Sequence, residues 1–173
     1  SREEKLLKEL KDIIDTLRRR VEEILTESEK SLRDHHRESR KIVEELRKLL
    51  EDLRRLLERK DERVIEEILK RLAERIRDLT RKDEKLVEEH HRLNRRLIDE
   101  IRKLFEELKE VLDRLDKNRE LDKIEEEARE LVKRAEEKLR EIDKRARDNH
   151  KRVRDELKRI LDELKKLIDE RRK

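Results

Sequence analysis

The chain has 173 residues, and its composition excludes several classes of protein. Lys and Arg number 54, Asp and Glu number 50 and His numbers 5, so that 60% of the positions are charged while the net charge is only +4. Because there is no Cys, neither a disulfide nor a thiolate ligand or nucleophile can form. Because there is no Gly, we expect no phosphate-binding loop and no nucleophile elbow. Apolar runs never exceed two residues, which excludes a membrane span and a signal-peptide core.

Positive and negative side chains are interleaved along the chain. A high charge content indicates disorder only when the net charge is also large, which is not the case here. Many opposite charges stand four residues apart, a spacing that stabilises a helix by about 0.2–0.5 kcal/mol per pair. The longest internal basic run is Arg18, Arg19 and Arg20, and Phe105 is the one aromatic residue. We therefore expect no nucleic-acid partner and no membrane partner.

Apolar residues recur at steps of three and four from the start of the chain. This spacing is typical of one face of an amphipathic helix. Doublets occur about once per heptad, which makes the apolar stripe wide enough to face two neighbouring helices. The second and third parts of the chain repeat the pattern, with small residues at Ala128, Ala135 and Ala146. The first stripe comprises Leu6, Leu7, Leu10, Ile13, Ile14, Leu17, Val21, Ile24, Leu25, Leu32, Ile42, Val43, Leu46, Leu49, Leu50, Leu53, Leu56 and Leu57.

Two wholly polar segments, 58–63 and 116–120, interrupt the stripe and indicate turns. Asp61 is expected to cap the helix that follows it, and Asn118 to adopt a left-handed conformation at the end of the helix before it. The predicted helices are about 3–58, 62–115 and 119–172. Their nearly equal lengths and short turns predict an all-α, up-down-up bundle of three long antiparallel helices with coiled-coil-like packing. We expect one domain over 1–173 and favour a monomer, with a homo-oligomer as the alternative; a break at 80–83 is a further alternative.

The neutral polar residues, four Ser, three Thr, three Asn and five His, are unevenly distributed. If residue 58 faces residue 62, position n of the first helix lies level with about 120 − n of the second and about n + 114 of the third. We call this relation the ruler, and the position on the first helix that it assigns to a residue is the level of that residue. Most of the neutral polar residues fall between about levels 26 and 40, and many lie on the apolar stripe. The predicted buried polar network is Ser28, Ser31, His35, Ser39, Thr80, Asp83, His90, His91, Asn94, Asn149 and His150.

The ruler also predicts which of these side chains pair. Each buried polar group needs a partner, because an unsatisfied one costs about 1–3 kcal/mol. In the two His doublets, we expect His35 and His91 to lie inside and their neighbours to be solvated. The expected pairs are Ser39 with Thr80, Ser28 or Ser31 with His90 or His91, Thr26 with Asn94, and Asp83 with the imidazole of His35 or His150.

The predicted network is open to several interpretations. It could fix helix register and pairing, as a buried Asn does in coiled coils. It could respond to acid, because a buried neutral His loses a hydrogen bond on protonation. A metal site is a weaker interpretation, since the ruler places His91 and His150 about 10 Å apart. Catalysis by Ser, His and Asp83 would lack an oxyanion loop, and we expect neither an enzyme nor a cofactor.

The chain as a whole resembles computationally designed helical bundles with buried hydrogen-bond networks. The features that carry the resemblance are Leu/Ile heptads, Glu/Lys/Arg surfaces, equal helices and the polar layer, although the Gly or Asp-Pro turns common in such designs are missing. It is also similar to the His-containing members of that class made to respond to acid. The resemblance implies a designed structural scaffold with no natural biochemical function, with a pH-responsive or a metal- or ligand-binding bundle as alternatives. Soluble expression in the cytoplasm is expected of such a protein. The layer residues concerned are Ser28, Ser31, His35, Ser39, Thr80, His91, Asn94 and His150.

Overall fold

The computed structural model of the protein describes residues 1–59 and 62–172, without the side chains of 62, 171 and 172. Its three helices are α1 (Arg2–Glu58), α2 (Glu62–Asp113) and α3 (Arg119–Arg172). They follow one another up, down and up, which confirms the predicted all-α bundle of three long antiparallel helices. The predicted helix limits agree with the observed ones to within two residues. The alternative break at 80–83 is wrong, since α2 runs through it without interruption.

The connection between α2 and α3 is built without glycine. After Asp113 the backbone tightens, so that the N–H groups of Arg114 and Leu115 donate to the carbonyls of Val111 and Leu112 at 3.2 and 3.1 Å. Such i to i−3 bonds commonly close the last turn of a helix. The side chain of Leu115 is buried.

Asn118 caps the start of α3, and the predicted role at the end of α2 is wrong. Its Oδ1 accepts a hydrogen bond from the N–H of Leu121 at 2.9 Å, and its carbonyl accepts one from Asp122 at 3.1 Å. The first turn of a helix has free N–H groups, for which the short Asn side chain is a good acceptor. The capping role predicted for Asp61 lies outside the described residues.

The chain divides into two compact units, and a segment of every helix contributes to each. Unit 1 comprises Ser1–Leu32 and His90–Lys144, and unit 2 comprises Arg33–Glu89 and Arg145–Lys173. The core of unit 1 follows the heptad rhythm of the stripe, and the small residues Ala128 and Ala135 are fully covered in it. The core of unit 2 is made almost entirely of Leu, Ile and Val. Its buried members are Ile42, Leu46, Leu50, Leu53, Leu72, Ile76, Leu79, Val153, Leu157, Ile160 and Leu164.

The register of α3 against α1 differs from the prediction. In unit 1, Arg18 contacts Glu127 across 109 positions of the chain, and in unit 2 Arg54 contacts Glu163 across 109. These side-chain contacts span about five positions fewer than the 114 that the ruler predicted. Between α2 and α3 the ruler agrees with the structure, since it places Asp143 level with His91 and these two side chains are in contact.

Replacing Asn118 by Ala should lower the free energy of unfolding by about 1 kcal/mol, because the first turn of α3 loses its acceptor. Chemical denaturation followed by circular dichroism measures the change. Asn118→Asp keeps an acceptor at the same place and should stay close to the parent. Equal losses for the two variants would contradict the capping role.

Candidate functional site

Unit 1 contains a network of four polar side chains on the apolar stripes of α1 and α2. The hydroxyl of Ser28 donates to Oδ1 of Asn94 at 2.6 Å, and the Ser31 hydroxyl lies 2.8 Å from Nδ1 of His90. Nδ2 of Asn94 lies 3.4 Å from Nε2 of His90 and 3.4 Å from the carbonyl oxygen of Leu139 on α3. Ser28, His90 and Asn94 are almost completely buried, at 0, 2 and 3% exposure. The network therefore joins all three helices of this unit.

The donors and acceptors of the unit 1 network can be assigned from its partners. The Leu139 carbonyl only accepts, so the Asn94 NH2 group must face it, and Oδ1 is then free to accept from Ser28. The same NH2 group is directed at Nε2 of His90, which must carry a lone pair. Nδ1 then carries the proton and donates to Ser31. This assignment rests on the bonding pattern, which is how a His tautomer is inferred.

His90 is held in its neutral form. Burial disfavours the imidazolium and lowers the pKa of His90 below its usual value of 6.5; Asp143 opposes the shift and His91 adds to it. A proton on Nε2 would also face the NH2 group of Asn94, which is itself a donor. Both effects favour the neutral ring, and burial is the largest cause of the lowered pKa.

In the second His doublet, the prediction that His91 lies inside is wrong. His90 occupies the interior, whereas the side chain of His91 is 26% exposed and its Nδ1 contacts Oδ1 of Asp143 on α3. Successive helical residues are about 100° apart, so on a stripe three residues wide either member of a doublet can face inward. Asp143 was not among the predicted residues. The ruler placed it level with His91, but acidic residues were too numerous to single out.

Unit 2 contains a second network, centred on the carboxylate of Asp83 on α2. Ser39 on α1 donates to Oδ1 of Asp83 at 2.9 Å, and Nδ1 of His150 on α3 lies 2.5 Å from Oδ2. Nε2 of His35 is 3.8 Å from Oδ1, an ion-pair distance when the ring is protonated. Nδ2 of Asn149 donates to the Ser39 hydroxyl at 3.4 Å. Asp83 is 1% exposed, so its carboxylate lies inside the unit, and side chains of both other helices contact it.

Two of the expected pairs are confirmed, Ser31 with His90 and Asp83 with His150. The partners expected for Ser39 and Thr26 are wrong. Ser39 bonds Asp83 and not Thr80, whose hydroxyl donates to the Ile76 carbonyl of its own helix at 2.7 Å. The hydroxyl of Thr26 likewise donates to a carbonyl of its own helix, that of Glu22, and the hydroxyl that bonds Asn94 is that of Ser28. A Thr hydroxyl on a helix readily bonds the carbonyl four residues before it, and this local bond competes with a partner on another helix.

His36 is the outer member of the first His doublet, and its surroundings lower its pKa. It is half-buried beside the guanidinium groups of Arg152 and Arg40. Burial, and then these two positive charges, lower the pKa of His36 below 6.5. His36 therefore also resists protonation, although its ring contacts solvent.

The part of the chain that the structure describes was compared with the requirements of a metal site and of a membrane span. Within 1–59 and 62–172, no group of three or more His, Asp or Glu side chains is placed to hold a metal. In the same ranges, no helix is both long and apolar enough to cross a membrane.

The chain was compared with protein-family models, curated proteins and solved structures. No protein-family model matches the chain. No curated protein matches it either. Among solved structures, the chain is similar to a protein titled "Computationally designed three helix bundle", with a TM-score of 0.55 and 24% identity. The match covers 98% of this chain and 86% of that chain, and at this identity it establishes the three-helix fold.

Replacing Asn94 by Ala should lower the free energy of unfolding by about 1–3 kcal/mol, because Ser28, His90 and the Leu139 carbonyl each lose a buried partner. Thermal and chemical denaturation measure the loss. Thr26→Ala is the control, since it removes an exposed hydroxyl that bonds only its own helix, and it should change stability by less than about 0.5 kcal/mol. Similar losses for the two variants would contradict a buried network at Asn94.

Proposed function

We propose that the chain is an artificial structural scaffold, with no natural biochemical activity, in which two buried polar networks specify how the three helices pair. The observation that carries the proposal is the carboxylate of Asp83. It is 1% exposed, and its two oxygens are bonded from different helices, by Ser39 on α1 and by His150 on α3. Such an arrangement favours one pairing because any other leaves a buried charge without partners.

The network in unit 1 supports the same role by a different chemistry. Asn94 accepts from Ser28 on α1 and donates to a backbone carbonyl on α3, so a slip of either helix would leave amide groups unsatisfied. Each unsatisfied group costs about 1–3 kcal/mol. An apolar stripe alone sets no comparable penalty, since Leu and Ile side chains repack against one another at low cost.

The sequence and the fold support an artificial origin. The chain uses no Gly, Pro, Cys, Met, Trp or Tyr, a restriction that natural helical proteins seldom show. Its fold is similar to that of a designed three-helix bundle. Helices about 50 residues long, with heptad stripes and short turns, follow the rules by which bundles are idealised.

We further propose that the scaffold is a monomer that folds as one domain over 1–173. The exposed large apolar side chains of the described residues are Leu7 and Val64, at 44 and 40% exposure, which leaves no broad apolar surface for a second copy. Each helix contributes residues to both units, so neither unit contains a helix that can unfold separately from the other.

An apolar version of the unit 1 network tests the scaffold role. Ser28→Ala, Ser31→Ala, His90→Leu and Asn94→Leu together should leave the helix content unchanged and the stability equal or higher, because buried polar networks often cost stability. The specificity of helix pairing should fall. Size-exclusion chromatography with light scattering should then show several association states, whereas the parent chain shows one. A variant that remains one monomeric species with a well-dispersed NMR spectrum would contradict the proposed role.

A pH-responsive bundle is the second candidate, and the buried His90 favours it. Its pKa is lowered in the folded chain, so the unfolded chain takes up the proton more readily. The contribution of His90 to stability is complete above about 6.5, the pKa of an unperturbed His, and is lost as the pH falls through the folded-state pKa. The groups that face His90 are Ser31 on α1, His91 and Asn94 on α2, and Asp143 on α3.

We predict that the melting temperature falls as the pH is lowered from about 7.5 to about 4, and that His90→Asn reduces this fall. Circular dichroism at a series of pH values measures both. His36→Gln is the comparison variant. The pKa of His36 is also lowered, so this change should reduce the fall too, but by less than His90→Asn, because His36 is less deeply buried. Melting that is independent of pH in the parent would eliminate the pH-responsive candidate and leave the scaffold proposal standing.

A further inference from the structure

The pair formed by Asp83 and His150 has the geometry of an oriented catalytic imidazole. A carboxylate only accepts hydrogen bonds, so the ring nitrogen 2.5 Å from Oδ2, Nδ1 of His150, carries the proton in this contact. In the neutral ring the lone pair then lies on Nε2. The second oxygen of Asp83 accepts from Ser39, which fixes the carboxylate and with it the plane of the imidazole. Nucleophilic enzymes orient a His by the same device.

His150 is one of the residues that line a cleft in unit 2. The cleft has a volume of about 480 Å³ and is lined by Thr80 on α2 and by residues of α3 that include Leu157 and Leu161. The side chain of His150 is 18% exposed, whereas that of Asp83 is 1% exposed. The side chain of His150 is therefore accessible to a small solute, whereas that of Asp83 is enclosed.

The charges of the residues that line the cleft favour an anionic ligand. Lys151, Arg154 and Lys158 line it together with one acidic residue, Asp155. Exposed cationic side chains of this kind can bind a substrate carboxylate and the oxyanion that forms when an ester carbonyl is attacked. The leucines beside them offer an apolar wall to an aryl ring.

We propose that His150 is a nucleophilic catalyst that hydrolyses activated aryl esters, preferentially anionic ones, in this cleft. Nε2 attacks the ester carbonyl, the bond to the aryl oxygen breaks, and an aryloxide leaves as the N-acyl bond forms. The positive charge on the acylated ring is stabilised through Nδ1–H by Asp83. Water then attacks the acyl carbon, the C–N bond breaks, and the carboxylic acid and the free imidazole are released with a proton passing to solvent. The net reaction is ester plus water to acid plus phenol, a reactivity separate from the scaffold role.

The other polar groups of the chain are less suited to this reaction. The Ser39 hydroxyl is 1% exposed and bonds the opposite oxygen of Asp83, which excludes it as the attacking group. His35 and His90 are enclosed. His91 also contacts an aspartate, Asp143, but that pair is far more exposed, at 26 and 24%. His91 is therefore a matched comparison that contains the same two residue types without the dry carboxylate.

The experiment compares the hydrolysis of p-nitrophenyl acetate and of the anionic 4-acetoxy-3-nitrobenzoate by the folded full-length chain. His150→Gln should lower kcat/KM by at least about tenfold, whereas His91→Gln should change it by less than about twofold. The expected loss lies below the usual gain of about 10²–10⁴ from a positioned acid-base group, because the cleft offers flexible cations in place of fixed backbone donors. The anionic ester should be the better substrate at low salt, and Arg154→Glu with Lys158→Glu should remove that preference without touching the core.

Asp83→Asn tests the positioning role of the carboxylate. The amide should present its NH2 group to Nδ1, which moves the ring proton to Nε2 and removes the nucleophilic lone pair, so that activity falls about as far as in His150→Gln. Long-range ¹H–¹⁵N correlation spectra report the change of tautomer directly, which a loss of stability alone would not produce. Unchanged tautomer together with lost activity would overturn this step.

A direct measurement on the parent chain keeps the proposal testable even if the core variants fold poorly. Rapid quenching followed by mass spectrometry should find the acetyl group on the peptide that contains His150. Acetylation of other residues only, or equal losses of activity for His150→Gln and His91→Gln, would overturn the proposal. Neither result bears on the scaffold role, which the apolar variant of unit 1 tests independently.

Discussion

The buried carboxylate of Asp83 is the constraint on which the structure of unit 2 depends. Removing a charge from water costs several kcal/mol, and the cost is recovered only when the geometry of its partners is good. Ser39 and His150 supply those partners from the two other helices. A stripe of Leu and Ile stabilises many similar packings, whereas this carboxylate tolerates few. Apolar burial therefore drives the helices together, and in the proposed scaffold role Asp83 selects the register in which they meet.

Unit 1 meets the same requirement without a buried charge. Its central group is the amide of Asn94, which both donates and accepts, and the neutral ring of His90 closes the network. The two networks differ in what protonation does to them. A proton added to Nε2 of His90 would face the NH2 group of Asn94, which is already a donor. An imidazolium at His150 in unit 2 would instead face the carboxylate of Asp83. The imidazoles of His90 and His150 thus lie in environments of opposite electrostatic character, and the pH-responsive candidate rests on the first.

The sequence was sufficient to predict the fold because its signals are periodic and redundant. Stripes with three-and-four spacing, interrupted twice, specify three helices, and no single residue decides the result. The polar network depends on single side chains and was harder to predict. Neighbours on a helix lie about 100° apart, so the doublet of His90 and His91 could not be resolved without coordinates. The Leu139 carbonyl that fixes Asn94 is a backbone atom and has no signal in the sequence at all. Asn118 was recognised as a turn residue, but whether it ends one helix or begins the next depends on backbone geometry.

The scaffold role and the chemistry of the cleft both depend on side chains whose protons are fixed by their partners. For unit 1 this central claim is tested most directly by the tautomer of His90, read from long-range ¹H–¹⁵N correlation spectra near neutral pH. We expect one slowly exchanging tautomer with the proton on Nδ1 and a free lone pair on Nε2. A solvent-averaged mixture of tautomers, or a proton resident on Nε2, would contradict this expectation, because the chain of bonds from Ser31 through His90 to Asn94 could not then exist.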